Sequence, residues 1–114
     1  MPHLIIEFSS PLLNEQQTLS LLNAVHQATA ETKLFDEKNI KTRAHPIDFF
    51  RIGSGDKTFI HGHLRIHSGR STSQKSQLTQ AVLNAITEQN TAADVITVEV
   101  VDMDTATYAK TTSS

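Results

Sequence analysis

The chain has 114 residues, 38% of them hydrophobic and 19% charged, with no cysteine, no tryptophan and a formal net charge of −2. That balance describes one globular domain rather than a disordered chain; the missing cysteines exclude disulfides, thiolate metal sites and a cysteine nucleophile; the negative charge argues against a general nucleic-acid binder. No basic segment followed by an apolar one opens the chain and no apolar run reaches membrane-spanning length, so the expectation is a cytoplasmic protein with neither membrane nor nucleic acid as partner.

Pro2 precedes an apolar strand, Leu4-Ile5-Ile6-Glu7-Phe8. Loss of Met1 would make its nitrogen a secondary amine, a group no side chain supplies. An α-amino group has a reference pKa of about 8, and desolvation or nearby cations lower it toward the range useful to a proton shuttle. Proline at position 2 also occurs in proteins that make no use of it, so other residues must support the role.

Ser9-Ser10-Pro11 ends the strand, and Asn14 with Gln17 three residues on has the spacing of a helix cap. Leu21, Leu22, Val25 and Ala28 then recur at helical spacing until Glu31-Thr32-Lys33. From Ile40 to about Ile52 the residues favour a strand, with Pro46 requiring an edge position or a bulge. Gly53-Ser54-Gly55-Asp56 reads as a hairpin turn into a third strand, Thr58 to Ile66. Alternation puts Phe59, His61, His63, Arg65 and His67 on one face of it, and Ile60, Gly62, Leu64 and Ile66 on the other.

Ser71 and Gln74 make a capping box that opens a second helix, whose stripe is Leu78, Ala81, Val82, Ala85 and Ile86. Val95 to Val101 reads as the last strand, and from Asp102 on the chain is polar and expected to be poorly ordered. The domain is drawn over residues 1–104, with 105–114 as a C-terminal tail. Strand-helix-strand occurs twice, each crossover expected to be right-handed. Both a ferredoxin-like sandwich and the tautomerase fold have this order, and periodicity does not separate them.

Charge is distributed unevenly. From Lys41 to Arg70 there are six basic residues and two acids, so the middle carries +4 and the remainder −6. A local basic surface on an acidic protein suits a small anionic ligand better than a polyanion. Lys41, Arg43 and His45, two apart on a strand, project from one face as an anion clamp. Gly69-Arg70-Ser71 offers backbone N–H groups at a helix N-terminus, a serine hydroxyl and a guanidinium suited to a carboxylate. A surface ion pair for an arginine and a simple cap for Ser71 are the plain alternatives.

Met1-Pro2-His3, Ile40-Lys41-Thr42-Arg43-Ala44-His45, and the run from Phe59-Ile60-His61 through Leu64-Arg65-Ile66 to Gly69-Arg70-Ser71 together resemble the 5-carboxymethyl-2-hydroxymuconate isomerase family of the tautomerase superfamily. The resemblance covers nearly the whole chain up to the last strand. It implies an α+β tautomerase fold, two β-α-β units forming a four-stranded sheet with two helices on one face. It also implies a homotrimeric enzyme of aromatic-acid catabolism that needs no cofactor and no metal. In that family the N-terminal proline shuttles a proton along a conjugated enol while basic side chains hold the carboxylates of a small dienol substrate. Carried onto this chain, Pro2 is the base and Arg70 the carboxylate-binding, polarising arginine. Lys41 stands where the family's other arginine is expected; it keeps the charge but not the planar fork, which leaves Arg43 as the alternative.

Two other readings use the same residues. His61, His63 and His67, with His45, could ligate a metal, but no carboxylate lies on that strand face. A non-catalytic ferredoxin-like domain could bind a small ligand; RNA binding through its sheet would require exposed aromatics, and the face offers Phe59 alone.

Overall fold

The computed structural model describes residues 1–113. The chain forms β1 (His3–Ser9), α1 (Glu15–Glu31), a 3-10 turn (Glu37–Asn39), β2 (Lys41–Ile47), β3 (Phe59–His67), α2 (Thr72–Thr87), β4 (Val95–Met103) and a second 3-10 turn (Thr105–Thr107). Both helices start where the capping signals stand. Asn14 Oδ1 accepts from the Gln17 N–H at 2.8 Å while Gln17 Oε1 accepts from the Asn14 N–H at 2.9 Å. Ser71 and Gln74 repeat the exchange at 3.1 and 2.9 Å. Each box satisfies N–H groups that the first helical turn leaves without a carbonyl partner.

α1 buries Leu21, Val25 and Thr29, one ridge at i, i+4, i+8, while Leu22 and Ala28 of the expected stripe are only partly covered. Thr29 fits the core because its hydroxyl donates to the carbonyl of Val25 at 2.9 Å, which removes the cost of burying a polar group. α2 buries Leu78, Val82, Ala85 and Ile86. Against these pack the inward faces of the strands, including Leu4, Ile6, Ile60 and Leu64, all with no exposed surface. Cutting one such leucine to alanine typically costs about 2–5 kcal/mol, against a total domain stability of about 5–15 kcal/mol.

The sheet order is β2-β1-β3-β4. β1 pairs with β2 in parallel, β3 with β4 in parallel, and β1 with β3 antiparallel. A ferredoxin-like sheet would seat β3 between β1 and β2, making every neighbour antiparallel. Here each β-α-β unit closes on itself and the two join through their first strands, which is the tautomerase arrangement. The hairpin expected between the second and third strands is therefore corrected. Gly53, with φ +56°, does turn the chain, and Ile52 bridges Gly55 and Asp56. β1 lies between β2 and β3, so the turn joins no neighbouring strands. β2 also stops at Ile47 rather than near Ile52, and Pro46 sits on this edge strand, where its missing N–H costs no ladder bond.

At the other end, β4 runs to Met103, two residues past the expected limit. The polar segment after it folds back over the sheet. Asp104 caps the second 3-10 turn, and the Tyr108 hydroxyl lies 2.9 Å from His3 Nε2, with its ring 4.9 Å edge-on from His67. Both helices cover one face of the sheet. The other is crossed by rows of paired residues: Lys41, His3, Arg65 and Val101; Arg43, Ile5, His63 and Glu99; His45, Glu7, His61 and Thr97. Among the described residues no helix is long and apolar enough to cross a membrane.

Candidate active site at the amino terminus

Strand direction builds the site. β1 and β2 are parallel, so both begin at the same end of the sheet, and antiparallel β3 delivers the Gly69-Arg70-Ser71 turn to that end. The Lys41 N–H donates to the carbonyl of Pro2 at 3.1 Å, and the Pro2 side chain is fully buried. Lys41 Nζ donates to the Asn39 carbonyl at 3.2 Å and touches Met1 Sδ at 3.0 Å. Lys110 reaches the same place from the C-terminal segment, with Nζ 3.3 Å from Met1 Sδ and 3.4 Å from Asn39 Oδ1. Arg70 donates from Nη2 to the Leu34 carbonyl at 2.6 Å, and its guanidinium stacks 4.4 Å from the centre of the Phe35 ring. Gly69 permits this turn with φ +120°, which a side chain would resist.

The charges around the chain terminus have the same sign. Burial first, then the charges of Arg70, Lys41 and Lys110, lower the Met1 amine, which caps Pro2 here, below its ordinary pKa. His3 is lowered as well, by burial and then by Arg43, Lys41, the amine and Arg65. Among the described residues Lys41, Arg43, Arg70 and Lys110 form no salt bridge; the ion pairs join Lys38 to Asp36 and Lys75 to Asp102, and Glu99 lies against the rings of His61 and His63. Two bases are thus held toward neutrality inside uncompensated positive charge, an arrangement that attracts a small carboxylate and favours proton removal from it.

Pro2, Lys41 and Arg70 come together as this site. Ser71 follows Arg70 directly, but its hydroxyl is engaged with Gln74 in the α2 cap. Arg43 shares the sheet face with Lys41, yet its Nη1 points to His3 Nδ1 at 3.2 Å, while the ammonium of Lys41 turns to the chain terminus. Lys110, Tyr108 and Phe35 had no place in the sequence reading. A lone tyrosine and lysine in a Thr- and Ser-rich segment were the available signal, but nothing local says that the segment returns to the first residues. One further correction concerns the histidines. A carboxylate does lie on their face: Glu99 Oε2 is 2.8 Å from His61 Nε2 and 3.2 Å from His63 Nδ1.

The chain was compared with known proteins. The family model described as 5-carboxymethyl-2-hydroxymuconate isomerase matches residues 2–112. A 5-carboxymethyl-2-hydroxymuconate Delta-isomerase of Escherichia coli is 30% identical over 88 residues, which are 75% of this chain and 70% of that protein. The solved structure of a 5-carboxymethyl-2-hydroxymuconate isomerase from Deinococcus radiodurans R1 superposes with a TM-score of 0.83 at 21% identity, covering 98% of this chain and 90% of that one. A fused 4-OT described as a wild-type symmetric trimer superposes with a TM-score of 0.77 at 16% identity, covering 90% and 87%. At those identities the two structures speak for the fold, and the family match speaks for the chemistry. With its two parallel strand pairs and a match that spans residues 2–112, the chain is an isomerase belonging to the 5-carboxymethyl-2-hydroxymuconate isomerase family of the tautomerase superfamily.

Proposed function

We propose that this chain, once Met1 is removed, ketonises a carboxylated dienol such as 5-carboxymethyl-2-hydroxymuconate through the secondary amine of Pro2, in the cytoplasmic catabolism of aromatic acids. The observation that carries the reading is the chain terminus set among Arg70, Lys41 and Lys110, where burial and those charges lower the Met1 amine pKa and would act on a Pro2 amine in the same place. The substrate class follows the name of the Escherichia coli relative.

A dienol and its keto isomer differ by the position of one proton. The neutral Pro2 amine takes the hydroxyl proton, the O–H bond breaks, and a dienolate forms. The same amine returns the proton to a carbon of the conjugated chain and is regenerated neutral, so neither a cofactor nor a metal is required by the balance. The developing oxyanion needs a donor beside it, and removing one such donor typically costs about 3 kcal/mol of transition-state energy. Arg70 takes that role and binds a carboxylate. Lys41, with Arg43 from the same sheet face, holds the substrate's other carboxylate, and Lys110 adds charge at the rim. Ser71 fixes the turn that aims Arg70 and presents the N–H groups at the start of α2 to the substrate.

The working unit in this proposal is a homotrimer. The helix-free face carries partly covered Ile5, Ile47, Phe59 and Val101, and Phe49 in the loop after β2 is 94% exposed. Three such faces turned toward a common axis would cover them with no open sheet left over.

Intact mass and N-terminal sequencing of purified protein, followed by ultraviolet assay of 2-hydroxymuconate-type dienols, test the reading. The expected result is ketonisation by protein that begins at Pro2. An equal rate from protein that retains Met1 would refute the proline mechanism.

A further inference from the structure

The proline site leaves unused a cluster on the helix-free face. His61 and His63 stand two apart on β3, and Glu99 is the β4 residue in register with His63. Glu99 Oε2 meets both rings, and the three possible donor atoms all lie within 4.8 Å of one another. We infer that His61, His63 and Glu99 bind a divalent transition-metal ion, zinc being the best match.

Two imidazoles and one carboxylate are the donor set of a three-ligand zinc site with its fourth position open. Donor atoms about 2.0–2.1 Å from a tetrahedral ion sit about 3.3 Å from each other, so the 2.8 and 3.2 Å contacts of Glu99 need a few tenths of an ångström of opening at most, while the two imidazole donors, within 4.8 Å of each other, close toward the ion by rotation of their rings. The ion takes the place of the two N–H···O contacts. His61 then ligates through Nε2 and carries its proton on Nδ1, where Thr97 Oγ1 waits at 2.7 Å to accept it. Such an outer contact fixes the tautomer and aims the ring. His63 ligates through Nδ1, its proton moves to Nε2, and the long 3.5 Å contact from Arg65 Nη1 is given up. In the separate chain the side chains are partly exposed, 27%, 29% and 47% for His61, His63 and Glu99, so an ion can enter before the proposed trimer covers this face. Imidazole and carboxylate donors also admit copper or nickel, which the usual affinity order places near or above zinc. All three ligands belong to one chain, so the site stands whatever the N-terminus does.

The test uses untagged full-length protein dialysed against chelator, titrated with Zn²⁺ in a calorimeter and with Co²⁺ by visible absorption. One ion per chain is expected, with cobalt bands of a tetrahedral or five-coordinate site. His61→Ala, His63→Ala and Glu99→Gln should each weaken binding by about tenfold or more, with unchanged circular dichroism. His67→Gln should leave it intact. No uptake by the unaltered protein, full uptake by a His61→Ala/Glu99→Gln double variant, or loss of uptake in His3→Gln alone would each overturn the assignment.

Discussion

Arg70 donates to the backbone carbonyl of Leu34 across a separation of 36 residues, and this 2.6 Å contact ties the turn before α2 to the segment after α1. With the Phe35 ring on one side, the guanidinium is held before any substrate arrives, so little freedom is lost on binding. Arg70→Ala should therefore lower kcat/KM by about a hundredfold or more, since it removes charge and fork together. Arg70→Lys, which keeps only the charge, should fall between the two. Steady-state kinetics on a dicarboxylated dienol checks both.

The terminal amine sets the pH dependence. Its proton-free form is the base, so kcat/KM should rise with pH through the amine pKa and level above it. Burial and the charges of Arg70, Lys41 and Lys110 lower the pKa of the Met1 amine; the Pro2 amine exposed by removal of Met1 stands beside the same cations, so the rise should be complete at lower pH than for an ordinary terminus near 8. Lys110→Ala removes one of those charges and should move the rise to higher pH, as a pH–rate profile would read directly.

Lys41 and Arg43 can be separated by exchange. If Lys41 holds a carboxylate, Lys41→Arg restores a planar fork at that point and should lower KM for a dicarboxylate. Arg43, bonded to His3 on the open face, should then tolerate alanine with a smaller loss. Unchanged kinetics in Lys41→Arg beside a large loss in Arg43→Ala would transfer the role to Arg43.

The C-terminal segment should matter more than its composition implies. A chain ending after Tyr108 keeps the contact of that tyrosine with His3 but loses Lys110. Its KM for a dicarboxylate should rise about fivefold, the worth of one exposed charge near 1 kcal/mol, with kcat changed less. Ending the chain before Tyr108 should do further damage by releasing His3.

Light scattering at micromolar concentration should give the mass of three chains. A monomeric mass would remove the trimer from the proposed function, and with it the expected cover for Phe49 and for the helix-free face.

What the sequence determined by itself is local. Asn14 with Gln17 and Ser71 with Gln74 marked both helix starts because a capping box needs only residues three apart. The alternation along β3 separated His61, His63 and Arg65 from Ile60, Leu64 and Ile66 because successive side chains of a strand point to opposite faces. The family motifs added Pro2 and Arg70. Tertiary structure decided the rest. Whether β2 pairs with β1 or with β3 depends on how two halves of the chain dock, and no periodicity records that choice. The same docking set Glu99 beside His61 and His63, 38 and 36 residues away, and so supplied the carboxylate that the histidine strand lacks. It also brought Lys110 back to Met1 across 109 residues. Contacts of that length leave no local pattern, because their partners are chosen by sheet register and not by neighbours in the chain.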